Sequence, residues 1–163
     1  VKACFDMGEV KTGALIVIEQ NIRLNEYERT GINVDAVLTS QLLINIFEHN
    51  TPLHDGAVLV RGNRIVAATC YLPLSDNMEL SKQLGTRHRA GVGISEVSDS
   101  LTIIVSEETG QVSVAENGKL SRGLTSAELR TALVKAQNKK VINNSKLRHL
   151  LKGRMRRQEN KAD

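Results

Sequence analysis

Residues 56–72 read Gly-Ala-Val-Leu-Val-Arg-Gly-Asn-Arg-Ile-Val-Ala-Ala-Thr-Cys-Tyr-Leu. Two apolar runs rich in β-branched residues flank Gly62-Asn63, a pair that accepts left-handed backbone in a tight turn, so this stretch is a β-hairpin. Upstream, Gly13-Ala-Leu-Ile-Val-Ile-Glu19 is a continuous apolar run, which suits a central strand buried on both faces. Between them, Thr39-Ser40 precedes a helix over Gln41 to Glu48, with Leu42, Leu43, Ile46 and Phe47 on one face and Thr51-Pro52 as its stop. Downstream, Thr86 to Val97 reads as a helix capped by Thr86, despite Gly91 and Gly93 inside it. Leu101 to Val105 and Val112 to Ala115 are strands joined across Ser106-Glu-Glu-Thr-Gly110, and Asn117-Gly118 makes a further turn. Thr125-Ser-Ala-Glu128 is a capping box that opens a helix with Leu129, Ala132, Leu133 and Ala136 on one stripe. Hairpins interspersed with helices imply a single α/β domain with a mixed parallel and antiparallel sheet flanked by helices.

The 163 residues suffice for one such domain. The net charge of +4 is unevenly distributed: residues 135–163 carry ten Lys/Arg against two Asp/Glu, leaving residues 1–134 at −4. The basic excess therefore belongs to the tail, and the body lacks the positive surface that nucleic-acid binding needs. Residues 1–12 read as a linker or helix end from an upstream anchor, 13–138 as the domain, and 139–163 as a flexible basic tail. Cys4 and Cys70 stand far apart in apolar surroundings, without metal-ligand spacing, as two structural thiols in a reducing compartment. No apolar run reaches the ~18 residues a membrane-spanning helix needs, so the fragment is expected to be soluble.

Polar residues that folding does not demand gather in three places. In Thr51-Pro-Leu-His-Asp-Gly-Ala57, His54 and Asp55 stand at the mouth of a strand, where a turn lets both reach one ion or hydroxyl; Asp-Gly is equally an ordinary turn pair. In Leu84-Gly-Thr-Arg-His-Arg89, free N–H groups at a helix start and the guanidinium forks of Arg87 and Arg89 suit a phosphate, and a solvated basic first turn is the plainer alternative. In Ser106-Glu-Glu-Thr-Gly110, the hydroxyl suits a phosphate and the carboxylates a hard cation, although a polar hairpin turn explains the motif alone. P-loop, GxGxxG, HExxH and GxSxG signatures are absent. Tyr71 at a strand end offers a stacking platform, or simply packs.

Taken together, His-Asp-Gly-Ala at 54–57 and Gly-Thr-Arg-His-Arg at 85–89 resemble the two signature motifs of the diadenylate cyclase domain. Gly-Ala-Leu-Ile-Val-Ile-Glu at 13–19, Tyr-Leu-Pro-Leu-Ser at 71–75 and Ser-Glu-Glu-Thr-Gly at 106–110 support the resemblance, which spans residues 10 to 120. Leu-Leu-Ile-Asn-Ile-Phe at 42–47 and Thr-Pro-Leu-His-Asp-Gly-Ala at 51–57 are similar to the membrane-anchored cyclase of Gram-positive bacteria.

The resemblance implies condensation of two ATP into cyclic di-AMP and two pyrophosphates at a face-to-face, transient homodimer or higher homo-oligomer. It implies Asp55, Gly56 and Arg87 as catalytic. Nucleotide contacts would come from Tyr71, Leu72, Gly85, Thr86, Arg87, His88, Arg89, Ser106 and Glu107. His54, Asp55 and Glu108 would bind a divalent metal, Mn²⁺ or Mg²⁺ with Co²⁺ also suitable. His88 has the alternatives of ordering the arginines, lying at the dimer contact, or packing. Placement at the cytoplasmic face of the plasma membrane, and regulatory protein partners, are further implications. The rivals are a catalytically silent adenine-nucleotide sensor, which needs the phosphate contacts without Asp55 and a metal, and an RNA- or membrane-surface binder acting through the tail.

Overall fold

β1 (Ala14–Glu19) is the middle strand of a seven-stranded sheet ordered β2-β4-β3-β1-β5-β6-β7. This computed structural model describes residues 1–78, 80 and 84–137; the expected tail over 139–163 lies outside them. The elements in chain order are α1 (Lys2–Glu9), β1, α2 (Asn25–Glu28), β2 (Ile32–Val37), α3 (Ser40–Phe47), β3 (Ala57–Arg61), β4 (Arg64–Cys70), α4 (Thr86–Val97), β5 (Leu101–Val105), β6 (Val112–Glu116) and β7 (Lys119–Ser121). Residues 126–137 are helical as well. β1 runs parallel to β3 and antiparallel to β5, and the remaining pairs are antiparallel, so the sheet is mixed as expected.

The strand alternation divides the core between two faces. Ile16, Val58, Ile103 and Val114 point to one side and pack with Ala3, Cys4 and Met7 of α1, with Leu43, Ile46 and Phe47 of α3, and with Leu129 and Ala136. Leu15, Val17, Leu59, Ile104 and Ala115 point to the other and meet Ala90, Val92 and Ile94 of α4. Both sheet faces are covered, which is why the central strands read as unbroken apolar runs. Residues 1–12, expected as a linker or helix end, include α1, whose buried face belongs to the first of these layers.

Capping follows the local chemistry. Thr39 Oγ1 accepts from the Leu42 N–H at 3.1 Å, and the box at Thr125 closes with Thr125 N–H to Glu128 Oε2 at 2.8 Å and Glu128 N–H to Thr125 Oγ1 at 3.3 Å. Thr86 departs from expectation. It is the first residue of α4 rather than its cap; Gly85 takes the cap position in extended backbone and no side chain closes the helix start. The expected helix is there in spite of its glycines, because contact replaces propensity. A Cβ on Gly91 would stand 2.8 Å from Ile104 Cδ1, and one on Gly93 only 2.1 Å from the Pro73 carbonyl oxygen. The helix lies this close to the sheet and to the strap after Tyr71 only because both positions are bare.

At the far end of β1, Glu19 is buried and takes both Arg61 Nε at 2.7 Å and Arg61 Nη2 at 2.9 Å. Arg23 Nη1 at 2.7 Å and the Leu24 N–H at 3.0 Å complete its shell. Burial alone would raise the Glu19 carboxyl, but the Arg61 fork and these donors hold it below the ordinary carboxylate range. Cys4 and Cys70 are both buried free thiols, and burial pushes Cys70 up to about 12.

Candidate active site

The opposite end of the sheet collects the polar motifs. β1 starts at Ala14, paired with Val105, so the chain before β1 and the turn after β5 emerge side by side. That turn is closed by Gly110 N–H to Ser106 O at 2.8 Å and Ser106 N–H to Gln111 O at 3.0 Å. Ser106 Oγ accepts from the Glu108 and Thr109 N–H groups at 3.3 and 3.2 Å, which leaves its own proton free to donate outward. The start of α4 lies next to the turn, where Arg87 Nη1 is ion-paired with Glu107 Oε2 and Arg87 Nε is buried without a hydrogen-bond partner among the described residues. Gly13 sits beneath this pair: a Cβ there would stand 2.7 Å from Arg87 Nη1 and 2.9 Å from Glu107 Oε2.

The third motif arrives from the loop before β3. Gly56 has φ +93, and a Cβ there would stand 2.8 Å from the Thr69 carbonyl carbon. Only glycine adopts this backbone and lets the His54-Asp55 loop press on the end of β4. His54 Nδ1 lies 2.6 Å from the Thr51 carbonyl oxygen, which can only accept, so Nδ1 bears a proton and the lone pair of a neutral ring falls on Nε2. Asp55 is exposed, and among the described residues its carboxylate has no ion-pair or hydrogen-bond partner. Tyr71 is 74% exposed, with its N–H held by Thr30 Oγ1 at 2.9 Å.

These segments frame two adjoining hollows. The wider, about 460 Å³, is lined among others by His54, Asp55, Gly56, Tyr71, Leu72, Thr86, Arg87 and Glu107. The narrower, about 50 Å³, is lined among others by Gly85, Thr86, Arg87, His88, Ser106, Glu107 and Glu108. Thr86, Arg87 and Glu107 belong to both and form a common rim. Of the residues singled out from sequence, Arg89 alone lines neither; its Nη1 reaches the Ser75 carbonyl at 3.4 Å and the Ser75 N–H bonds its own carbonyl at 3.0 Å, so it holds the strap to α4. His88 is buried at the narrow hollow; burial, then the charge of Arg122, lowers its pKa below the ordinary histidine value, with Glu108 opposing.

His54 and Asp55 share the wide hollow while Glu108 lines the narrow one, and among the described residues no three His, Cys, Asp or Glu side chains form a metal-holding group. The His54 lone pair beside the Asp55 carboxylate nevertheless fits a divalent ion that takes its remaining ligands from phosphate oxygens. Sequence reasoning missed His49 and Arg122. His49 lines the wide hollow with its ring centroid 5.5 Å from that of His54, and the spacing of two histidines around the Thr51-Pro52 turn was its signal. Arg122 lines the narrow hollow and had no signal, because β7 has none.

Residues 1–120 match the family model described as DisA bacterial checkpoint controller nucleotide-binding, abbreviated DAC. The chain is 59% identical over 132 residues to cyclic di-AMP synthase CdaA of Bacillus subtilis (strain 168), covering 81% of this chain and 48% of that protein. It is 54% identical over 129 residues to a diadenylate cyclase of Listeria monocytogenes serotype 1/2a (strain 10403S), covering 79% and 47%. The chain thus spans about half the length of these relatives. Its fold superposes on a double mutant of DacA from Staphylococcus aureus with a TM-score of 0.82 at 50% identity, covering 83% of this chain and 90% of that one. A hypothetical membrane spanning protein from Bacillus cereus gives a TM-score of 0.74 at 48% identity, with 76% and 61% covered.

Proposed function

This chain belongs to the DAC family, and on that premise we propose that it is a diadenylate cyclase, joining two ATP molecules into cyclic di-AMP with release of two pyrophosphates. The observation that carries the reading is the common rim of Thr86, Arg87 and Glu107. A hollow of about 460 Å³ has the volume for a nucleoside, and the adjoining smaller hollow, lined by Thr86, Arg87 and Ser106, suits phosphate groups. Tyr71 and Leu72 border the base, and Thr86, Arg87 and the Ser106 hydroxyl meet the phosphates.

In each half-reaction a 3′-oxygen bonds to the α-phosphorus of the other nucleotide while the bond from that phosphorus to the bridging oxygen breaks. The hydroxyl proton passes to the Asp55 carboxylate and the electron pair leaves with pyrophosphate. Asp55 suits this part because no protein group occupies its oxygens among the described residues. His54 and Asp55 would hold a divalent ion such as Mn²⁺, Mg²⁺ or Co²⁺, which would supply charge neutralisation at the phosphates and a more acidic attacking hydroxyl.

Two nucleotides must meet, so two copies must face each other. The open wide hollow, lined among others by Tyr71 and Leu74 at 74% and 54% exposure, suits transient coverage by a second copy. In the longer protein the domain would act at the cytoplasmic face of the membrane, a reading supported by its likeness to a protein described as membrane spanning. Among the described residues no helix is long and apolar enough to cross a membrane. Asp55→Asn is the test: it retains ATP binding and the thermal midpoint and loses dinucleotide formation. Unchanged product formation in that variant removes Asp55 from the mechanism, while absence of product from the wild-type chain with every metal leaves a nucleotide sensor.

A further inference from the structure

Arg122 follows β7, and the sheet register determines where it lies. β7 pairs antiparallel with β6, with Ser121 opposite Val114, so the chain leaving Ser121 runs back toward the start of β6. Leu124 N–H bonds the Val112 carbonyl at 2.9 Å, which fixes this return beside the turn over Ser106 to Gln111. Arg122 consequently lines the narrow hollow, across from the first turn of α4. Its guanidinium is exposed and makes no ion pair or hydrogen bond among the described residues, and its charge is felt by buried His88. The other charged groups there are Arg87 and Glu107, already paired, and Glu108, which has no ion-pair partner among the described residues. Among these residues, before substrate enters, the hollow therefore holds one uncommitted cation, Arg122, and one uncommitted carboxylate, Glu108.

Resting on the cyclase reading, we propose that Arg122 is the pyrophosphate-binding residue of the site, contacting the β- and γ-phosphates of ATP and the departing pyrophosphate. With the nucleoside in the wide hollow and the α-phosphate at the common rim, continuation of the triphosphate leads into the narrow hollow. A planar guanidinium with free donors matches two phosphate oxygens at once, and charge accumulates there as the bond to the α-phosphorus breaks.

Cyclic di-AMP carries no β- or γ-phosphate, and this separates a phosphate contact from a structural role. Binding of α,β-methylene-ATP, inorganic pyrophosphate and cyclic di-AMP is measured by calorimetry on the wild-type chain, Arg122→Gln and Arg122→Lys. Arg122→Gln weakens the analogue and pyrophosphate about tenfold, the expectation for one charge-assisted contact on an exposed rim, and leaves cyclic di-AMP within twofold. Arg122→Lys recovers part of the loss, because it keeps the charge without the fork. Unchanged affinity for the analogue and pyrophosphate overturns the proposal, as does an equal loss for cyclic di-AMP, which would assign Arg122 to balancing Glu108. A wild-type chain that binds none of the three overturns the nucleotide reading itself.

Discussion

Replacing Gly93 by alanine sets two effects of opposite sign against each other. In an isolated helix the change is favourable by about 1 kcal/mol, since glycine costs more backbone entropy than alanine. Here the added Cβ would stand 2.1 Å from the Pro73 carbonyl oxygen and 2.8 Å from Ser75 N, where real contacts essentially never fall below 3.0 Å. Both neighbours are backbone, and the strap is fastened at this point by Ser75 N–H to Arg89 O at 3.0 Å. It cannot yield by rotating a side chain, so the strap must lift from α4. An overlap this deep on backbone atoms falls at the upper end of the about 1–3 kcal/mol that overpacking costs, which leaves a net loss of about 1–2 kcal/mol after the propensity gain. The strap also carries Leu72 and Leu74 of the wide hollow, so the displacement reaches the base-binding wall. Thermal unfolding of Gly93→Ala shows a midpoint lower by about 2–8 °C for a domain of this size, with a raised KM for ATP. Gly91→Ala meets the tip of the Ile104 side chain instead, at 2.8 Å, and costs less. A midpoint for Gly93→Ala equal to or above that of the wild type refutes the close-approach argument.

Glu19→Gln removes the carboxylate from a buried site ringed by Arg61, Arg23 and Leu24 N–H and lowers stability by about 3 kcal/mol, read from urea unfolding. The same group sets an acid limit. Its folded pKa lies below the unfolded value, so its contribution is complete above about pH 4.5 and is lost as pH falls through the lower folded value. His88 acts in the same direction from a higher starting point: buried with its pKa below 6.5, it stabilises the fold fully above that pH and progressively less as the pH drops through its folded value. A pH series of unfolding midpoints checks both, and His88→Gln flattens the upper part of the profile. Cys70, pushed up to about 12 by burial, resists iodoacetamide at pH 8 in the native protein and reacts once it is unfolded, read by mass shift.

The elements that sequence made legible are those whose pattern is local. β1, the β3–β4 hairpin and β5 read as apolar runs with turn residues between them, and Thr39 and Thr125 announced their helices. β2 was silent because it pairs only with β4, breaks register between Asn33 and Ala36, and has Asp35 at φ +42. β7 is three residues long with an exposed, half-buried, exposed pattern, too short for any period to register. Gly91 and Gly93 argued against a helix until tertiary contacts explained them. At the site, the motif-bearing residues around Asp55, Thr86 and Ser106 were found because each departs from what its local structure requires. Arg122 depends on where β7 returns, and Gly13 on what lies above it, so neither is readable from its own neighbourhood. Arg89 reads as a phosphate ligand from its guanidinium near a helix start and from the motif over 85–89, and in the fold its side chain reaches the Ser75 carbonyl.

The proposed reaction needs two copies of this domain to turn two ATP molecules into one cyclic di-AMP. The decisive experiment incubates the chain with ATP and Mn²⁺ or Mg²⁺ over a range of protein concentrations and identifies the separated products by mass. Cyclic di-AMP and pyrophosphate are expected in a ratio of one to two, at a rate per chain that rises with protein concentration and vanishes in Asp55→Asn. ATP that is bound and returned intact under all these conditions would rule the cyclase out.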